Sequence, residues 1–145
     1  MKDIKTTTKS ISTQSIKQIK GKMGEKAVVL WLKRKGYKVL DTNWMAKNKE
    51  IDIVTEYQNM LVFVEVKTHF GKQLDYPETA VNKQKQRSLD IAAQQYLKDK
   101  KINLAVRQDI IAVQYHPWGK QLLHIPDAFS STNRYLYNQP SKLYF

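Results

Sequence analysis

The spacing of hydrophobic positions changes several times along the chain, and each change marks an element. Ala27, Val28, Leu30, Trp31 and Leu32 recur at helical intervals as far as Arg34, and Gly36 then ends the pattern. This spacing predicts a first helix that opens after Gly21. Glu25 would then lie in its first turn, where free N–H groups favour a carboxylate. From Tyr37 the period shortens to that of strands, predicted over residues 37–43, 50–55 and 60–67. A polar turn at 47–49 and a hairpin connection at 56–59 join them into an antiparallel meander. An irregular loop at 71–77 leads to a second helix from Thr79 toward Leu97, with Leu89, Ala92, Ala93, Tyr96 and Leu97 as its apolar stripe. Residues 104–113 and 121–125 read as strands on either side of a turn at Trp118 and Gly119. The order is αβββαββ, an α/β domain.

The ends of the chain lack this periodicity. Residues 1–20 are rich in Ser, Thr and Lys, and predict a mobile basic arm with at most a helical turn near Ile16 and Ile19. The organised domain spans 21–130, and 131–145 is a C-terminal extension. A length of 145 residues with 41% hydrophobic positions suits a single core. The polar opening does not read as a secretory leader, and no apolar run approaches the length of a membrane span, so the expectation is a cytoplasmic protein without a membrane partner.

Charge and cysteine content narrow the chemistry. The net charge is +12, from 25 basic and 13 acidic residues, which favours a polyanionic partner through phosphate contacts. Cysteine is absent, excluding disulfides and thiolate metal sites. His69, His116 and His124 have no compact zinc-ligand spacing, so no structural zinc is expected.

The sharpest local signal is Glu50-Ile51-Asp52 followed by Glu65-Val66-Lys67. Strand alternation puts Glu65 and Lys67 on one face and Val64 and Val66 on the other. If the strands form a hairpin, Asp52 and Glu65 converge at one end of the sheet with Lys67 alongside. Their neighbours are strongly apolar, so these charges need solvent, pairing or a metal. Carboxylate oxygens suit magnesium (Mg2+), with manganese (Mn2+) as a plausible substitute. Such an ion activates water and offsets charge on a phosphoryl group, while Lys67 can orient water or stabilise the transition state. An edge hairpin with surface ion pairs is the ordinary alternative for any one of these tripeptides.

The pieces GEKAVVLWLKRKGYKVLDTNW, EIDIV, LVFVEVKT, AVNKQKQRSLDIAAQQYL, RQDIIAV and HIPDAF, in this order, resemble the YraN family of predicted endonucleases, within the PD-(D/E)xK restriction-endonuclease-like superfamily. The resemblance implies a mixed central sheet flanked by helices, and a site carried by Asp52, Glu65 and Lys67. It implies metal ligation by Asp52, Glu65 and the Val66 carbonyl, with Glu25 as the helix-borne acid that archaeal Holliday-junction resolvases place near the metal. It also implies DNA as substrate, possible structure-selective cutting of branched or nicked forms, and a place in repair or recombination. The sequence departs from the family at Lys49, where glycine is usual, and at His69, where arginine is usual.

Lys83, Lys85 and Arg87 at the start of the second helix are candidate phosphate contacts, as is His69. Arg107 and Asp109 share a strand face and suit an ion pair, either supporting the site or ordinarily structural. Trp31 belongs to the first helix's core face rather than to base stacking, whereas Trp44 and Trp118 lie near loops, where nucleic-acid contact is one reading and loop anchoring the simpler one. A two-fold dimer would suit paired cuts on a junction. The competing functions are a nuclease-like DNA-binding module without standalone chemistry and a basic scaffold for acidic proteins.

Overall fold

The computed structural model describes residues 15–71, 81–129 and 141–143. The arm before residue 15, the loop at 72–77, Thr79 and most of the C-terminal extension lie outside them. The first helix, α1 (Ile16–Arg34), begins well before Gly21. Ser15 sets that start: its Oγ accepts from the Gln18 N–H at 3.3 Å, while Gln18 Oε1 accepts from the Ser15 N–H at 3.0 Å. This reciprocal capping box satisfies two N–H groups that a helix end leaves open. Residues 16–20, expected in the arm, are therefore helical, and Glu25 lies in mid-helix rather than in a first turn, which contains no acid. Ala27, Val28, Trp31 and Leu32 are buried as the spacing predicts, but Leu30 is 55% exposed.

Three strands follow, β1 (Lys38–Ala46), β2 (Lys49–Tyr57) and β3 (Met60–Phe70), each longer than its apolar run suggested. They form the expected antiparallel meander. Helix α2 (Lys83–Lys100) starts behind Asn82, whose side chain accepts from the Lys85 N–H, rather than at Thr79. It ends where Lys101 turns left-handed at φ 54°. The chain returns as β4 (Ala105–His116) parallel to β3, the pairing that a helical crossover permits. Then β5 (Gly119–Ile125) and the short β6 (Ser141–Leu143) add antiparallel strands, giving a six-stranded sheet in the order β1-β2-β3-β4-β5-β6. No period in the polar, aromatic tail had announced β6.

Alternation along β3 divides the core. Val62 and Val64 pack with Ile53, Ile111 and Val113 under α1, whereas Leu61 and Phe63 pack with Ala92, Ala93 and Tyr96 of α2. The central strands are covered on both faces, which is why LVFV and IIAV read as continuous apolar runs. This is the mixed α/β, restriction-endonuclease-like core that the sequence implied. No helix among the described residues is long and apolar enough to cross a membrane.

Candidate active site

The sheet forks where the acidic residues lie. β2 pairs with β3 from Tyr57↔Met60 to Ile53↔Val64, beyond which no further pair forms. β2 instead stays with β1 as far as Ala46↔Lys49, and β3 stays with β4 as far as Phe70↔Tyr115. At the crotch, Asp52 Oδ2 accepts from the Val66 N–H at 2.8 Å, so a side chain takes the position of a backbone acceptor. Alternation breaks here too: Ile51 packs on the α2 side and Ile53 on the α1 side, although they are only two positions apart.

Glu65 is the next residue along the open edge and is 5% exposed. Its Oε1 lies 3.3 Å from Lys67 Nζ and 3.5 Å from Lys85 Nζ. Its Oε2 is buried and has no hydrogen-bond partner among the described residues. Beside it the Asp52 carboxyl is pushed up to about 7, chiefly by burial and then by the Glu65 charge, with the Val66 N–H pulling the other way and Glu25 adding to the rise. Desolvation and a facing like charge both disfavour ionisation, whereas an N–H donor favours it.

Glu25 approaches this centre but is held elsewhere. Asn43 Nδ2 donates to Glu25 Oε2 at 2.8 Å and to Glu50 Oε1 at 3.1 Å. Asn43 occupies the left-handed region at φ 49°, a conformation Asn tolerates better than most residues. Glu25, Asn43 and Glu50 line a shallow polar recess with Gln18, Gly21 and Lys22. Among the described residues, no three carboxylates or imidazoles gather closely enough to hold an ion by themselves. The arrangement is thus an Asp52–Glu65 pair with two lysines, and a separate Glu25–Asn43–Glu50 bridge nearby.

The basic residues of α2 divide in the same way. Lys85 turns to Glu65, while Lys83 and Arg87 remain exposed. His69 is half-buried further along β3, and its Nε2 has no hydrogen-bond partner among the described residues. Asn43 was not anticipated, and neither was Gly24. A Cβ added to Gly24 would stand 1.8 Å from Thr68 Oγ1, so α1 lies directly on β3 just beyond Lys67. An isolated glycine within a helical pattern was the available signal.

Arg107 and Asp109 do pair, but not beside the site. Register places Asp109 next to Val64, hence on the α1 face, opposite Glu65. Arg107 Nε and Nη2 donate to the two Asp109 oxygens at 2.8 Å each, the Asp127 N–H donates at 2.9 Å, and His124 Nε2 lies 2.7 Å away. Arg107 Nη2 also reaches Tyr37 Oη at 3.0 Å. Burial alone would raise the Asp109 carboxyl, but His124 and Arg107 hold it below the ordinary range. This is a satisfied buried network that ties β4, β5 and the segment entering β1. Trp31 lies on the core face as expected, whereas Trp118 is 78% exposed and stacks on His116 at the hairpin tip. Trp44 belongs to β1 and meets Tyr96 edge-on at 5.1 Å, so it packs a strand rather than a loop.

Comparison with known proteins assigns the chain to a family. Residues 24–113 match the profile of Uncharacterised protein family UPF0102. A UPF0102 protein of Syntrophotalea carbinolica is 41% identical over 75% of this chain and 89% of its own. Those of Flavobacterium psychrophilum and Phocaeicola vulgatus are each 38% identical over 75% of this chain, covering 92% and 90% of their own lengths. The chain therefore belongs to the UPF0102 family, the YraN family whose motifs surround the fork in its sheet.

Proposed function

We propose that this chain is a cytoplasmic, magnesium-dependent phosphodiesterase acting on DNA, with its reaction centre at the fork between β2 and β3. The observation that carries the reading is the buried, unpartnered Glu65 Oε2 beside an Asp52 that its surroundings resist ionising. A divalent cation fits this donor set: it would satisfy the orphaned oxygen and cancel the repulsion between the carboxylates. Magnesium often binds through one or two carboxylates and keeps waters, so the absence of a third ligand-type side chain is compatible with it. Asp52, Glu65 and the Val66 carbonyl would hold the ion, with Glu25 acting from its bridge to Asn43. Manganese would substitute for it. When bound, the ion would supply charge neutralisation and Lewis acidity at the phosphoryl group.

The chain's own residues account for the rest. Lys67, tethered to Glu65, would present its remaining donors to a phosphate oxygen or to the attacking water. Lys85 adds a second positive charge from α2. Asp52, fixed by the Val66 N–H, is oriented before substrate arrives. A second reading, a DNA-binding module without standalone chemistry, draws on the same geometry, because Lys67 and Lys85 already compensate Glu65.

One experiment separates them. Labelled duplex, nicked, flap and four-way-junction DNA should be cut in magnesium or manganese, and not in excess chelator. Asp52→Asn, Glu65→Gln and Lys67→Ala should each slow single-turnover cleavage by at least about a hundredfold while DNA binding persists. Tight binding with no product across metals and substrates would transfer the conclusion to the binding module. Equal product from wild type and all variants would identify a contaminant.

A further inference from the structure

At the tip of the β4–β5 hairpin the structure carries an aromatic feature that the core does not use. The Trp118 ring is 78% exposed and stacks on His116 with ring centroids 4.3 Å apart and planes 4° from parallel. His116 Nε2 has no hydrogen-bond partner among the described residues, so the stack is the described contact that orients this ring. We propose that Trp118, backed by His116, is a docking platform for an unpaired base of a single-stranded polynucleotide. The platform's relation to a cutting site rests on the reading given above, but its chemistry does not.

Register puts the platform on the face that bears Glu65 and Lys67. Ile110 packs with Val81 and Leu89 on the α2 side, and Ala112, Gln114 and His116 follow at two-residue steps along β4. Glu65, Lys67 and His69 are the β3 neighbours of Ile110, Ala112 and Gln114. His116 therefore lies about 13 Å beyond the level of Lys67, at roughly 3.3 Å per strand residue. A nucleic-acid strand rises about 3.4 Å per nucleotide in a duplex, so the platform lies about four nucleotides from the fork.

Charge and size select the occupant. No acidic residue occurs between Asp109 and Asp127, and the exposed tip carries Lys120 directly after Gly119. The hairpin itself therefore offers a polyanion a cation and no carboxylate. A tryptophan ring with one imidazole behind it buries on the order of 200 Å² at most, far below the roughly 800 Å² per partner of a stable dimer. One flat ring matches one base, and stacking on aromatic side chains is how unpaired strands are held without sequence preference.

The test uses the full chain in chelator, so that no cutting intervenes, with fluorescence anisotropy of single-stranded and blunt duplex oligonucleotides. Trp118→Ala should weaken single-strand binding about tenfold and duplex binding less than about twofold. Trp118→Phe should restore most of the loss. Tryptophan emission of the wild type should be quenched by the single strand, and Trp118→Ala should remove most of that quenching. Unchanged single-strand affinity, or equal losses on both substrates, would overturn the platform. Quenching that grows with protein concentration without DNA, accompanied by dimer in sedimentation, would assign the surface to a second copy and overturn it as well. Single-strand binding that ignores Trp118 in a chain that cuts DNA leaves the fork reading intact and removes this one; a Trp118-dependent single strand bound by an inactive chain does the reverse.

Discussion

Asp52 and Asp109 lie two strands apart in sheet order, both largely withdrawn from water, yet their neighbours drive them in opposite directions. Asp109 receives Arg107, His124 and the Asp127 N–H, and is held ionised. Asp52 receives the Val66 N–H and faces Glu65, and is pushed up to about 7. A folded-state value above the unfolded 3.8 means the native state binds the extra proton across that window, so stability falls as pH rises from about 4 to about 7. Asp52→Asn keeps an oxygen for the Val66 N–H and removes the charge. In chelator at about pH 8 this variant should be more stable than wild type, on the order of 2 kcal/mol after allowing for solvent access, with the difference shrinking at about pH 5. Denaturant titrations at the two pH values measure it. Magnesium should stabilise wild type and not the variant; a variant less stable than wild type at both pH values would remove the electrostatic account.

At the scale of elements, β3 organises the site: its first half belongs to a ladder with β2, and its second half is released to carry Glu65 and Lys67 beside β4. Alternation in LVFVEVK made the strand and its polar face legible from sequence. The fork itself was not, because it depends on Asp52 replacing a backbone acceptor, a tertiary event that leaves no periodic trace. The start of α1 was legible in principle from Ser15 and Gln18, but the capping box sits in a polar stretch whose composition suggested an arm. Lys85 reads from sequence as a candidate phosphate contact, and helix position alone cannot show that its side chain reaches Glu65. Arg107 and Asp109 were paired correctly by strand face, yet the choice between the two sides of the sheet required knowing which helix covers which. The contact of Gly24 with Thr68 gives this scale its own prediction. Gly24→Ala would drive a methyl into Thr68 Oγ1, forcing α1 away from β3. The expected loss is about 1–3 kcal/mol, typical of overpacking. Adding Thr68→Ala should recover much of it, because the nearest atom in the clash is removed. Chemical denaturation of the two single variants and the double variant tests this, and strict additivity would show that the residues do not share the contact.

The whole molecule joins a neutralising fork to a surface with a net charge of +12. That excess was readable from composition, but which cations face outward is a property of the fold. Lys83 and Arg87 stand exposed in the first turns of α2, on the helix that brings Lys85 to Glu65. Helix α2 therefore presents external charge and also brings a lysine to Glu65 at the candidate site, and the two roles proposed for it should separate by mutation. Each phosphate neutralised contributes close to one unit to the dependence of log affinity on log salt. Lys83→Ala with Arg87→Ala should lower that slope by about 2 and weaken binding almost equally across DNA sequences. Lys85→Ala should change the slope much less, since its charge is already engaged by Glu65, while altering cleavage at saturating DNA. Anisotropy titrations over a range of salt, in chelator, give the slopes, and single-turnover assays in magnesium give the cleavage. An unchanged slope in the double variant would remove α2 from the DNA surface; a full unit lost with Lys85→Ala would place that lysine on phosphate rather than on Glu65.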